Sequence, residues 1–535
     1  MAEVSGTSFP PPARSPLMRL LIPSVGDLIF MTMLGTLLWT PLSVRLLNDA
    51  GTGWHIRTGQ IIADTHQIPR VDPFSSIMKG HPWFAWECLY EVAVGQLQRV
   101  AGLNGVVWLT AVVIALVYSW TFRLLIQRGV DVFLALMLVL LASGAGMIHF
   151  LARPHVFSWL FTLAWFWILD SNELAGIGID GEEKRRTAKL LWLLPPLMIV
   201  WVNVHGGFVL GLVLLGIYMV SAAHSWIKSR ETSLEEAMTG LRARHRFRQL
   251  AQITLGAAIA TLCNPQGWTL HSHIYHYLTN RFLMDHIDEF GSPNFHGVAE
   301  WCFAVLVLLT LLAVATRTSS LRVSEGLVVI FAVYSGLYSV RNLPVSSLLL
   351  VLTAGPLLAK SLEKLPQTAN LGVFDFWRRM RKIEASLGGF LWSVAALAIA
   401  FGIALNGGRL GSWQLLNAHF SERRFPATAL DHLEANNNWG PILAPDYWGG
   451  YLIYRLYPQV LVVMDDRSDL YGENIFRDYL AMTQARPGWQ KFLIDHHVCC
   501  VLAPRGSALA NILAQSQDWK EIYGDDVARA FNKVY

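Results

Sequence analysis

What most constrains this chain is a succession of eleven apolar blocks set apart by short polar loops. They lie at about 18–47, 104–126, 131–151, 155–170, 189–204, 207–225, 248–264, 298–316, 323–340, 343–361 and 387–406. Crossing the hydrocarbon of a bilayer takes roughly 20 apolar residues in a helix. A backbone without water around it must satisfy its own hydrogen bonds, which selects helices over open strands. The first block is too long for a signal-peptide core and lacks an obvious cleavage site, so it reads as a retained helix. The pair Pro195-Pro196 should kink or tilt the fifth. Only 15% of the residues are charged and 53% are hydrophobic, whereas a soluble domain carries about a quarter charged. The expectation is an all-α polytopic membrane domain of about eleven transmembrane helices.

Basic residues test that count, because cytoplasmic loops of membrane proteins are enriched in Lys and Arg. With the N-terminus inside, the alternating loops receive 22 Lys and Arg on the inner side and 8 on the outer side of residues 1–406. The net charge of +4 is thus sorted by membrane side and gives no sign of a nucleic-acid partner. Residues 1–17 form a polar, Pro-rich cytoplasmic tail, and 18–406 the transmembrane domain. Five cysteines show neither zinc-type nor redox spacing.

Two parts fall outside the membrane on the outer side. The first loop, 48–103, contains an amphipathic helix at 54–66, a Pro-punctuated extended link at 68–75 and a second helix at 83–101. Both helices are expected to lie along the outer interface. The C-terminal part, 408–535, is expected to be an extracytoplasmic α/β domain, with strands at 451–457 and 460–464 and helices at 476–485 and 507–517.

Ionisable groups next to a bilayer are costly and usually line a cavity or pathway. Here they gather in the outer turns. The clusters are Asn48-Asp49, Trp54-His55-Ile-Arg57, Trp86-Glu87, Arg153-Pro-His155, Asn203-Val-His205-Gly206-Gly207, Asn264-Pro-Gln-Gly267, Asp285-His286-Ile-Asp288-Glu289 and Arg341-Asn342. The inner loops read as merely basic. One outward-opening cavity is the expectation. Each cluster also has a plainer reading. Asp49 can cap a helix, Arg57 can snorkel to headgroups, Glu87 can bond within its own helix, and Asn203 and His205 can cap helix ends before Gly206-Gly207. His271, His273 and Asp285 are too loosely spaced to read as metal ligands. Asp465, Asp466, Arg467 and Asp469 follow an apolar run and read first as a charge-paired strand end.

An acid directly after the first span, a long loop of two helices, many further spans and a terminal outer domain resemble the GT-C glycosyltransferase superfamily. The run Asn48-Asp49…Trp54-His55-Ile-Arg57-Thr-Gly59…Pro69-Arg-Val-Asp-Pro-Phe-Ser75…Trp83-Phe-Ala-Trp-Glu87 resembles, more closely, a group of bacterial membrane proteins without a settled activity. Arg153-Pro-His155, Trp201-Val-Asn203-Val-His205, Asn264-Pro-Gln-Gly267, Arg341-Asn-Leu-Pro344, Trp448-Gly-Gly-Tyr-Leu452 and Asp465-Asp466-Arg467 are similar to later blocks of that group. More distantly the chain is similar to oligosaccharyltransferase catalytic subunits and protein O-mannosyltransferases.

The resemblance implies transfer of a sugar from a polyprenyl-phosphate carrier to a glycan, lipid or protein acceptor outside a bacterial cytoplasmic (inner) membrane. Asp49 takes the position of the base or metal contact, with Glu87 as its neighbour. His55, Arg57, Arg153, His155, Asn203, His205 and Arg341 are the candidates for binding substrate, Arg153 and Arg341 at the carrier phosphate. A divalent cation, Mg or Mn, is the cofactor such enzymes suggest, with no ligand set assigned here. The sequence departs from the family in that Asp49 follows Asn48 and stands alone where protein O-mannosyltransferases usually have paired acids, and in two further places. The next outer loop has no second acidic motif, and Asp446-Tyr-Trp-Gly-Gly-Tyr451 only loosely resembles the Trp-Trp-Asp-Tyr-Gly signature of oligosaccharyltransferases. A non-catalytic scaffold of an envelope assembly therefore stays open as the alternative, and a lipid-linked glycan transporter as a third reading.

Overall fold

The structure is a computed structural model describing residues 20–177, 181–229, 234–317, 320–363, 371–387, 390–435 and 440–534. The tail 1–17 lies outside the described residues. A helix falls on each apolar block, but the blocks are not equal. Five described helices are long and apolar enough to cross a membrane: Cys88–Gln127, Val132–His149, Gly206–Lys228, Val298–Thr316 and Val340–Leu362. Val25–Trp39 and Val323–Tyr338 are apolar but shorter, while Leu391–Leu405 follows Phe376–Ser386 at a 64° bend. Eleven full spans is thus more than the helix lengths support. The fifth block is a 3-10 turn, Leu191–Leu193, followed by the 9-residue helix Leu194–Val202. Its prolines sit in the first turn of that helix, where the missing N–H costs nothing; they start a helix rather than kink one.

The first loop packs closely against the rest of the protein. Its first helix is Gly51–Thr65. A Cβ on Gly59 would lie 1.7 Å from the carbonyl oxygen of Glu91, and one on Gly53 would lie 2.1 Å from that of Gly450. Two glycines therefore let the helix touch backbone on both sides, the second span's helix on one and the C-terminal part on the other. The second helix starts at Cys88 rather than Trp83 and runs to Gln127, interrupted at Gly102 with φ 61°. One glycine in the left-handed region replaces the expected loop before the second span.

The C-terminal part departs most from expectation. Residues 451–457, expected as a strand for their Tyr and Leu content, belong to the helix Asp446–Leu456. Tertiary contact overrides β-propensity here, since Gly449 and Gly450 bring that helix against the backbones of Asp465 and Ala50. The run 460–464 forms no ladder; Val462 makes single parallel bridges to Ser75 and Ile442, tying the first loop to the C-terminal sheet. That sheet has the order Ile442–Leu443, Cys500–Pro504, Ala528–Lys533, Trp519–Gly524, its first pair parallel and the others antiparallel. The helices expected at 476–485 and 507–517 are Ser468–Thr483 and Ala508–Gln515. One apolar core runs without a break from Phe30 through the bundle to Leu452 and Leu502.

The end of the bundle away from Arg153, expected to be merely basic, holds buried acids. The helix His155–Ile177 carries Asp170 and Glu173 about 22 and 27 Å along its axis from His155. Arg322 reaches both, at 2.9 and 3.0 Å, Arg246 lies 3.0 Å from Glu173, and Arg128 also pairs with Asp170. Asp27 takes Arg123 at 3.1 Å, and Glu384 accepts from the N–H groups of Val25 and Gly26. These acids are buried, which requires such pairing. They cross-link helices and leave little free valence for a ligand.

Candidate functional site

The turn after Leu42–Arg45 delivers Asp49 to the start of the Gly51–Thr65 helix, where Oδ1 accepts from the N–H of Gly51 at 2.8 Å. The cap of that helix is Ala50, without a side-chain cap bond, so Asp49 stands one residue before it. Asp49 Oδ1 also accepts from Arg153 Nη1 at 2.7 Å. Arg153 stands just before the helix His155–Ile177, and its Nη1 donates a second time, to Asp466 Oδ2 at 3.2 Å. Asp466 comes from the C-terminal part, and its other oxygen accepts from Trp54 Nε1 at 3.0 Å. A guanidinium is thus shared by two aspartates from opposite ends of the chain.

These three residues open on a cavity of about 560 Å³. Arg341 and Glu289 stand on its rim, with the Arg341 Nη1 3.7 Å from Glu289 Oε2 and its guanidinium over the ring of Phe290. The C-terminal part closes the cavity with Asp446, Ser468, Phe476, Leu480 and Leu509. One side of the hollow is therefore ionic and the other largely apolar. Asp446 bonds to Tyr479 Oη at 3.2 Å, and burial pushes its carboxyl above the usual carboxylate range.

Behind the ionic wall runs a second, buried layer. Glu87 is 8% exposed and lies 3.6 Å from His55 Nε2 and 4.0 Å from His205 Nε2. His55 is wholly buried, with Glu91 3.5 Å from its Nδ1 and the Trp54 ring tilted 35° against it at 3.6 Å between centroids. Burial, reinforced by the nearby charge of Arg153, drives the imidazole's pKa well below its usual value, so it is neutral. His205 Nδ1 takes Ser158 Oγ at 2.8 Å and the Gly207 N–H at 3.1 Å, while its Nε2 lies 3.4 Å from Arg341 Nη2. Its pKa is lowered likewise, by burial first and Arg341 second. Burial pushes the Glu87 carboxyl up to about 7 against the pull of Arg153 and Arg341.

Of the residues singled out by sequence, Asp49, Arg153 and Arg341 share the cavity. Glu87, His55 and His205 form the layer beneath. The others serve elsewhere. Arg57 donates from Nε to the Tyr454 carbonyl at 3.0 Å and from Nη1 to Gln60, so it holds the C-terminal helix instead of snorkelling. His155 Nε2 is 2.8 Å from the His149 carbonyl. Asn203 donates to the carbonyls of Ile199 and Cys263, each at 2.8 Å, joining two helix ends. Glu289 belongs to a cluster expected at the cavity, whereas Asp466, which read first as a charge-paired strand end, is brought to Arg153 by the fold.

A divalent cation does not fit the residues present. The two aspartates that would hold it are bridged by a guanidinium. Among the described residues no group of three or more His, Cys, Asp or Glu is placed to hold a metal ion. His271 turns to Thr261 at 2.8 Å and His273 to Asp469 at 3.1 Å.

Two solved structures share this architecture. The apo oligosaccharyltransferase of Archaeoglobus fulgidus superposes with a TM-score of 0.53 at 11% identity, covering 90% of this chain and 69% of that one. The oligosaccharyltransferase AglB from the same organism, in complex with an inhibitory peptide and a dolichol-phosphate, gives 0.52 at 11% identity with the same coverage. At that identity the likeness is one of fold alone. No protein-family model and no curated protein matches the sequence.

Proposed function

We propose that this chain is a GT-C-type glycosyltransferase that takes a sugar from a polyprenyl-phosphate carrier and passes it to an acceptor on the outer side of a bacterial cytoplasmic membrane. One observation carries the reading: paired carboxylates and an arginine that is not their partner face one cavity, as an attacking hydroxyl and a departing phosphate require. In the reaction the acceptor oxygen bonds to the anomeric carbon while the bond from that carbon to the phosphate oxygen breaks. A carboxylate of the Asp49–Arg153–Asp466 group receives the hydroxyl proton. The phosphate leaves with the bonding electron pair, and its charge falls to Arg341, because Arg153 is already committed to two aspartates. The fold shared with an enzyme solved bound to a dolichol-phosphate supports the carrier class. The apolar side of the cavity suits the body of the acceptor.

The scaffold alternative draws support from the internal neutralisation of Arg153 by Asp49. An assay separates the two readings. Full-length protein in nanodiscs is given radiolabelled hexoses on undecaprenyl phosphate with membrane extract as acceptor. A transferase moves label, and Arg341→Ala stops it; a scaffold moves none, and its biological role survives Asp49→Asn but not removal of 408–535.

A further inference from the structure

The transfer reading leaves two carboxylates competing for one task, and their surroundings differ. Asp49 Oδ1 receives both the Gly51 N–H at 2.8 Å and the Arg153 Nη1 at 2.7 Å, so its charge is doubly compensated on a single oxygen. Asp466 meets the same guanidinium at the longer distance of 3.2 Å and otherwise accepts only from the neutral Trp54 indole. Both carboxylates line the cavity, with side chains 18% and 20% exposed. Hydrogen bonds to a carboxylate stabilise its charged form and make it a poorer proton acceptor.

We infer that Asp466, supplied by the C-terminal part, is the group that takes the acceptor's proton, and that Asp49 is a positioning residue that fixes Arg153. The inference rests on the transferase reading above and adds to it a residue the first span does not contain. The balance is simple. The acceptor O–H proton passes to a carboxylate oxygen of Asp466 as the oxygen bonds to the anomeric carbon, and the carrier phosphate departs with the electrons of the broken bond. Asp466 then returns its proton to water through the cavity mouth.

Further features support the division of labour. The charged groups that face Asp466 are Arg153 from the bundle, Asp49 from the first loop, and Asp465 and Asp446 from its own region. Burial first, with the three aspartates adding to it and Arg153 opposing, pushes the carboxyl up to about 7. A proton acceptor works best with a pKa near the working pH. The segment is also held rigidly. Arg467, next in sequence, is 3% exposed and pairs with Asp465 at 2.7 Å and with Asp72 of the first loop at 2.8 Å. Gly51 completes the arrangement, since a Cβ there would fall 2.6 Å from Asp466 Oδ2.

The test uses the full chain in nanodiscs with undecaprenyl-phosphate-linked radiolabelled hexose and octyl glucoside as hydroxyl acceptor. Undecaprenyl phosphate binding is measured separately. Asp466→Asn should lower kcat by about a hundredfold or more, leave carrier binding within a factor of two or three, and abolish the acid limb of the pH profile. Asp466→Glu should restore part of the rate together with that limb. Asp49→Asn should slow turnover while keeping the limb. An Asp466→Asn enzyme with wild-type rate and unchanged acid limb overturns the assignment while transfer itself stands. If the wild type neither binds undecaprenyl phosphate nor moves label, the transferase reading falls and the assignment with it. Thermal unfolding of each variant separates misfolding from lost chemistry, and the Glu variant's rate decides the matter should the Asn variant not fold.

Discussion

Gly51 and Arg153 are so close that a methyl group on the glycine would lie 2.2 Å from the guanidinium Nη1. The same methyl would stand 2.6 Å from Asp466 Oδ2 and 3.0 Å from Asp49 Oδ1. Those atoms are far ends of side chains, so they can give way at little cost to the fold. Alanine also favours a helix by roughly 0.5–1 kcal/mol over glycine. Gly51→Ala is therefore expected to leave the melting temperature within a few degrees while cutting transfer at least tenfold. Gly59→Ala is the control, because its Cβ would strike backbone at 1.7 Å from Glu91 O. It should cost about 1–3 kcal/mol or more, seen as a lowered melting temperature.

The raised carboxyls of Glu87 and Asp466 should lower stability as the pH rises from about 5 to about 8, against the buried His55 and His205, whose lowered pKa raises stability up to the ordinary imidazole value. Glu87 has its folded pKa raised from 4.5 to about 7, and Asp466 from 3.8 to about 7. Between the two values the folded state holds protons that the unfolded chain has released. Unfolding then becomes easier with each step up in pH, until both groups are ionised in the folded state. For Glu87 the effect is on the order of 3 kcal/mol. Glu87→Gln should gain stability relative to the wild type as the pH rises across that range in thermal melts, and a difference between the two that stays flat contradicts the raised carboxyl.

Arg467 should prove necessary to the fold rather than to chemistry. It sits over the rings of Trp83 and Phe74, at 4.6 and 5.2 Å to their centroids, and neutralises Asp465 and Asp72 in the interior. Removing one partner of a buried pair costs about 3–5 kcal/mol because a charge is stranded. Arg467→Met should lose that much in unfolding measurements, and the double variant with Asp465→Asn should regain part of it.

Arg341 should behave as a phosphate contact. A hydrogen bond to a charged group contributes about 1.5–3 kcal/mol, so Arg341→Ala should weaken undecaprenyl phosphate binding by roughly ten- to a hundredfold. Arg57→Ala, which loses a bond to the Tyr454 carbonyl away from the cavity, should instead lower the melting temperature with carrier binding unchanged.

The helices of the bundle were legible because lipid demands long apolar blocks, and Asp49, Arg153 and Arg341 because ionisable groups at a membrane boundary stand out. Asp466 was not, since its partners lie in the first loop and before the helix His155–Ile177, contacts with no sequence period. His55 and Arg57 read as an interfacial face because the pattern gives an apolar stripe but not its partner. Gly53 and Gly59 carried that signal: glycines in a helix mark close backbone approach, and here they mark protein on both sides. Residues 451–457 read as a strand by composition, yet Gly449 and Gly450 allow a helix to pack where a strand would leave its edge open. Span number is not confirmed by the lengths of the described helices. Apolar length alone does not separate a full crossing from a short helix such as Leu194–Val202.

A cryo-EM map of the full chain saturated with undecaprenyl phosphate tests the central claim most directly. The account predicts phosphate density in the cavity within hydrogen-bonding distance of the Arg341 guanidinium, with Arg153 still bridging Asp49 and Asp466. A lipid phosphate resolved elsewhere, with the cavity vacant at saturation, contradicts it.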